Sequence, residues 1–197
     1  GPVAERFTLP PFTILDARSG DWQVRKRAWA SLGINSEVGR TENLLRMSDT
    51  CSLGEKDTSI FDPVVCELAY RWFCPAGGQV VDPFAGGSVR GIVAGALGRH
   101  YWGCDLRPEQ IAANEAQADE IAPRVRPVWV YGDSMETLAD APAADFVFSC
   151  PPYGDLEKYS DDPRDLSAMD WHAFVAAYKR IILRAVGRMK PDTFACF

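Results

Sequence analysis

The chain has 197 residues, 47% of them hydrophobic, with 21 Lys and Arg against 27 Asp and Glu and a formal net charge of −6. That is enough apolar chain for a sizeable core and suits one domain. The acidic balance speaks mildly against a protein built to neutralise phosphates. No secretory leader and no apolar run of about 18 residues can be seen, so neither export nor membrane spanning is expected. Six cysteines, at 51, 66, 74, 104, 150 and 196, form no CxxC half-site and read as reduced thiols of a cytoplasmic protein.

Residues 3–60 are irregular. "PPFTILDARSGDWQVRKRAWASLG" suits a short strand and then a basic helix, and "SDTCSLGEKDTS" reads as a loop. Gly1-Pro2 reads as a protease-cleavage remnant outside the fold. From Gln79 onward, short apolar runs alternate with helical patterns. "QVVDPF" is a buried strand and "VRGIVAGALG" a small-residue helix; "YWGCDL" is a second strand, and "RPEQIAANEAQADEIA" a helix with Pro108 in its first turn. "PVWVYGD" is a third strand and "ADFVFSC" a fourth. "DWHAFVAAYKRIILRAVGRM" is an amphipathic helix capped by Asp170, and "TFACF" opens a fifth strand. The alternation predicts parallel strands with right-handed crossovers, a doubly wound α/β sheet. Residues 1–60 form an extension and 61–197 the main domain.

In such sheets ligands bind beyond the carboxyl ends of the strands, where the strand order reverses. The first strand ends in "DPFAGGSVRG", where Gly86 and Gly87 allow a tight turn and a close approach to a ligand. A dinucleotide fingerprint needs GxGxxG, whereas residues 86–91 give GxSxxG, and Arg90 is no phosphate-loop lysine. Asp105 ends the second strand, about 20 residues past Gly86, where a carboxylate can accept from both hydroxyls of a ribose. Asp133 ends the third strand and can accept from an adenine amino group. Either acid alone reads equally well as a helix cap or turn residue. Asp82, Asp105 and Asp133 at successive strand ends together point to a nucleoside cofactor. His100 and His172 read as surface residues, and no metal-ligand cluster is present.

"DPFAGGSVRG" resembles the cofactor loop (DPFxGxG) of the S-adenosylmethionine-dependent DNA amino-methyltransferases, and "SCPPYG" resembles their (D/N/S)PP(Y/F/W) motif. The order of cofactor loop, ribose acid, adenine acid and PPY is theirs, and "SIFDPVVCELAYRWFCPAGGQ" looks like their segment beside the methionine end of the cofactor. "RKRAW" and "FDPVVCELAYRWF" further resemble phage-borne members. The resemblance covers residues 58–197. It implies a Rossmann-like methyltransferase sheet with a two-strand hairpin beyond the fifth strand that this sequence does not reach. It also implies a cofactor site of Phe61, Asp62, Asp82, Phe84, Ala85, Gly86, Gly87, Ser88, Asp105, Leu106, Asp133 and Ser134, and a restriction-modification setting in a bacterial or phage-infected cell. The expected partners are double-stranded DNA and a complementing chain or second copy, with no membrane.

The chemistry explains the motif. An exocyclic amino nitrogen is a poor nucleophile because its lone pair is delocalised into the ring. Two acceptors on its N–H groups let it pyramidalise and aim that lone pair at the sulfonium methyl. By resemblance, these acceptors are the side chain at 150 and the Pro151 carbonyl, preorganised by Pro151 and Pro152, while Tyr153 stacks on the flipped base. This chain has Cys150 where adenine enzymes mostly carry Asp or Asn and cytosine-N4 enzymes mostly carry Ser. Its sulfur matches Ser in shape but accepts weakly, which leans toward cytosine N4. Ser149 carries a hydroxyl, expected to point the other way along the strand. Cys150 as a nucleophile on cytosine C6 and Cys150 as an inert structural thiol are the alternatives. Arg25-Lys26-Arg27, with Trp22 and Trp29, reads either as a DNA contact or as the solvated basic face of a helix. Tyr159, in the acidic "GDLEKYSDDPRDLS", is a second stacking candidate. Competing functions are an inactive or partner-dependent binding subunit and an RNA or protein-glutamine methyltransferase.

Overall fold

The structure is a computed structural model describing residues 16–18, 20–34, 61–152, 160 and 162–197. The expected short strand near residue 12, and the catalytic and stacking candidates Tyr153 and Tyr159, lie outside these residues. In chain order the elements are α1 (Gly20–Ala30), α2 (Pro63–Phe73), β1 (Gln79–Asp82), α3 (Val89–Ala96), β2 (His100–Asp105), α4 (Pro108–Ile121), β3 (Val128–Tyr131), α5 (Ser134–Thr137), β4 (Ala144–Phe148), a 3-10 turn (Leu166–Ala168), α6 (Trp171–Val186) and β5 (Met189–Cys196).

Local chemistry sets these boundaries. Asp62 caps α2 by accepting from the Val64 N–H, with Pro63 entering the first turn. Pro108 opens α4, which Ala122 closes in the left-handed conformation at φ 48°. Asp170 accepts from the His172 and Ala173 N–H groups, as its position predicts. Two boundaries differ from expectation. The long helix stops at Val186, and β5 begins at Met189 instead of Thr193. Between the paired positions Ala144↔Met189 and Phe146↔Phe194 the fifth strand carries extra residues, including Asp192 at φ 57°. A bulge there absorbs Pro191, which has no N–H to give a ladder.

The five strands are parallel and ordered β3-β2-β1-β4-β5. Helices cover both faces, so the middle of each central strand is apolar toward both sides. Val80, Phe146 and Phe148 face one core with Tyr70, Ile92 and Tyr101; Val81 and Val147 face the other with Trp102, Leu138 and Phe174. In α3, Gly95 lets the chain before β3 lie against the helix: a Cβ there would come within 2.1 Å of the Val125 carbonyl. The strand order reverses between β1 and β4. The chain leaves β1 toward α3 on one face and β4 toward α6 on the other, which opens a crevice at their carboxyl ends. Among the described residues, no helix is long and apolar enough to cross a membrane.

Candidate active site

The loop after β1 is built around a buried anion. Asp82 has no solvent exposure and ends β1. One of its carboxylate oxygens accepts from Arg90 Nε at 2.6 Å and from the Tyr101 hydroxyl at 2.7 Å. The other accepts from the Phe84 N–H at 3.1 Å and from the Ser149 hydroxyl. Asp82 was expected to face a nucleoside along with the other two strand-end acids. Its carboxylate instead turns into the protein, because a charge buried this deeply must be paired and hydrogen-bonded on all sides. Arg90 completes the pairing. Its Nη2 donates to the carbonyls of Phe84 and Ala85 at 2.6 and 3.0 Å, and its guanidinium lies 4.8 Å above the Phe61 ring. Phe61 also packs edge-on against Phe148, with centroids 5.6 Å apart.

Beyond this anchor the loop is held at Gly86 from both sides. Its N–H donates to Asp105 at 2.9 Å and its carbonyl accepts from Asn114 Nδ2 at 2.8 Å. Gly86 has φ 49°, and a Cβ built on it would meet nothing within 4 Å. The space above the loop is therefore open, and the backbone conformation suits glycine. Ala85 is buried and donates its N–H to the Cys104 carbonyl. That close approach depends on Gly103, where a Cβ would crowd Ala85 Cβ at 2.9 Å. Ser88 is buried, its hydroxyl donating to Gln117 at 2.9 Å; Gly87 and Phe84 are half-buried, and Phe84 stacks on Tyr178 with centroids 6.3 Å apart.

Asp105 sits at the end of β2. Its second oxygen accepts from the Arg107 N–H at 2.9 Å, with Arg107 Nε 3.6 Å away. Burial pushes its carboxyl above the ordinary aspartate range, and the Arg107 charge and the two N–H donors only partly offset this. An ionised carboxylate has about four acceptor positions, and two N–H groups leave two for a ligand's paired hydroxyls. Leu106 beside it is half-buried. Asp133 is half-exposed and caps α5 by accepting from the Met135 N–H at 2.8 Å. Ser134 lies beneath the loop instead of facing the crevice: its buried hydroxyl donates to the Pro83 carbonyl and lies 3.2 Å from Cys104 Sγ.

The motif expected to hold the methyl acceptor follows β4. Ser149 is buried, and its hydroxyl donates to Asp82. Its N–H continues the ladder to the Cys196 carbonyl. Cys150 and Pro152 are half-buried and Pro151 is buried. Cys66, Cys74 and Cys104 are of another kind: all are buried, and burial pushes the thiols up, to about 11 for Cys74 and about 12 for Cys104.

The basic helix packs on α2 through its aromatic face. Trp22 Nε1 donates to Asp62 and Trp29 Nε1 to Glu67, at 3.1 and 2.9 Å. Arg25 pairs with Glu67, and Lys26 lies 3.7 Å from Asp62. Asp62 is thus both helix cap and partner of α1, while Arg27 is exposed. Arg90, Tyr101, Asn114 and Tyr178 were missed from sequence. The one available signal was Arg90, a charge inside an otherwise small and apolar helix.

No protein-family model matches the sequence, and no curated protein matches it. Solved structures do. TrmN from Thermus thermophilus superposes with a TM-score of 0.53 at 18% identity, over 68% of this chain and 36% of that one. Precorrin-6y C5,15-methyltransferase from Geobacter metallireducens GS-15 gives 0.50 at 17% identity, over 74% of this chain and 64% of that one. The fold is that of the Rossmann-like methyltransferases. In neither case does this chain span two thirds of the other protein, and at these identities the likeness is one of architecture.

Proposed function

We propose that the chain transfers a methyl group from S-adenosylmethionine to the exocyclic amino nitrogen of a base in DNA, cytosine N4 ahead of adenine N6. The observation that carries this reading is the pinning of one open glycine loop, at the strand-order reversal, by a strand-end acid that keeps acceptor capacity, beside the Cys150-Pro151-Pro152 turn. The residues fit the cofactor. Gly86 and Gly87 give backbone access, Asp105 would hold the ribose hydroxyls, Asp133 the adenine amino group, and Phe61 and Asp62 the methionine end. When bound, the cofactor supplies a methyl group on a positively charged sulfur, open to direct displacement.

The chain's part is to orient the acceptor. Two N–H bonds, to the Cys150 side chain and the Pro151 carbonyl, hold the amino nitrogen with its lone pair directed out of the ring plane, and the proline pair keeps that carbonyl from drifting. Tyr153 would stack on the flipped base, and Tyr159 is a further stacking candidate. Arg25, Lys26 and Arg27 would meet the phosphates only along their solvent edge, because Arg25 and Lys26 also serve Glu67 and Asp62.

One observation favours a second reading, a cofactor-binding subunit without transfer of its own: position 150 offers sulfur, a weak acceptor, where the step needs a good one. Incubation with methyl-labelled cofactor and unmodified DNA, followed by nucleoside digestion and mass analysis, decides. N4-methylcytosine is the expected product, and N6-methyladenine would correct the base. Label in RNA or in a peptide glutamine instead of DNA would move the substrate class. Calorimetric cofactor binding with no product under any condition would establish the second reading.

A further inference from the structure

We infer that Ser149 is a positioning residue that mechanically couples the cofactor loop to the acceptor loop, with Asp82 and Arg90 as its anchor. The inference rests on the cofactor reading above and adds a role to a residue that touches neither substrate.

β1 and β4 pair only at Val80↔Phe146 and Val81↔Val147. Past that point each chain turns to a different face of the sheet. The Ser149 hydroxyl spans the gap. Ser149 Oγ donates to Asp82 and accepts from the Phe84 N–H at 3.2 Å, so it holds both the last residue of β1 and the first turn of the cofactor loop. The next residues on its own chain are Cys150 and Pro151, the proposed amino acceptors. The far end of the bridge is fixed: Asp82 is clamped by Arg90 and Tyr101, and Arg90 also grips the Phe84 and Ala85 carbonyls. Ser149 is 2% exposed and Asp82 0%, so water does not compete for these bonds. Methyl transfer tolerates little error in the distance between donor carbon and acceptor nitrogen. Here one loop sets the donor, the other sets the acceptor, and the Ser149 hydroxyl fixes their spacing. Ordering of the cofactor loop by a ligand is therefore transmitted to residues 150–152.

Hydrogen exchange of the whole chain, with and without S-adenosylhomocysteine as an unreactive probe, tests this without a nucleic-acid substrate. In the parent protein the probe should slow exchange in peptides covering 83–91 and 146–152. In Ser149→Ala the probe should bind within about threefold of the parent affinity and still protect 83–91, while the protection it adds at 146–152 falls by more than half. Ser149→Thr, which keeps the hydroxyl, should restore it. A purely structural role would lower protection with and without the probe alike and leave the difference unchanged, and that result overturns the coupling. If Ser149→Ala does not fold, Ser149→Thr against Ser149→Cys carries the same comparison, with coupling expected in the first and lost in the second. Absence of any probe-dependent protection in the parent protein would overturn the cofactor reading and the coupling together. Protection of 83–91 that survives while 146–152 ignores the variant would overturn the coupling alone.

Discussion

Asp105 and Cys150 are the two side chains whose chemistry can be tuned by single substitutions. Replacing Asp105 with Ala removes the acceptor of the Gly86 N–H and the proposed acceptor for the ribose together, and should weaken cofactor binding by about 1–3 kcal/mol, read by calorimetry. Burial lifts this carboxyl above the ordinary value of 3.8, so it takes up a proton at a higher pH than a free aspartate does. The protonated form loses acceptor capacity. Affinity should thus be full near neutrality and fall as the pH drops through that raised value, a limb that Asp105→Asn should lack. At position 150, Cys150→Ser exchanges a weak acceptor for a strong one at similar shape. Turnover should rise while cofactor affinity stays constant, and a fall in turnover would argue that the sulfur has a role of its own. Asp105 was legible as a candidate only in company: alone it reads equally well as a cap or turn residue, and it was the succession of strand-end acids beyond a glycine pair that pointed to a ligand. Asp82 and Ser134 looked equivalent but are buried, because partners from separate segments draw them in and no local pattern shows those partners.

Among the elements, α1 is tied to the segment 62–73 by polar anchors as well as by its two tryptophans. Burial pushes the Glu67 carboxyl up, but hydrogen bonds from Arg25, Trp29 and Arg71 outweigh it and hold the group below its ordinary 4.5. A depressed carboxyl stabilises above the ordinary value and loses that contribution as the pH falls through the lowered one. Docking of α1 should therefore fail on acidification below about pH 4.5, seen as a shift of the Trp29 indole N–H resonance. Glu67→Gln should loosen α1 already at neutral pH by about 1.5–3 kcal/mol, the worth of charge-assisted bonds. Helix starts were readable because their signals are local: Pro63 and Pro108 enter first turns, and Asp170 caps. The start of β5 was not, since Pro191 reads as a strand breaker until the bulge beside β4 accommodates it. The basic run of α1 was ambiguous for a similar reason. Its partners Asp62 and Glu67 lie about 40 residues away in sequence.

At the scale of the molecule, strict alternation of apolar runs and helical patterns was enough to expect a parallel doubly wound sheet, and the glycine pair marked the end proposed to take the ligand. The network through Phe61, Asp82, Arg90, Tyr101 and Ser149 could not be read in advance, because it exists only where five separated segments meet at one point of the sheet. That meeting point also sets an alkaline limit on the whole protein. Tyr70 and Tyr101 are fully buried, the first donating to the Arg90 carbonyl and the second to the Asp82 carboxylate. Burial, with the Asp82 charge adding to it, holds both phenols well above 10. A raised phenol favours the fold while protonated and withdraws that support once the unfolded chain can ionise. Melting temperature should then decline as pH climbs beyond about 10. In alkaline titration Tyr70 and Tyr101 should give their phenolate absorbance only as the sheet itself comes apart.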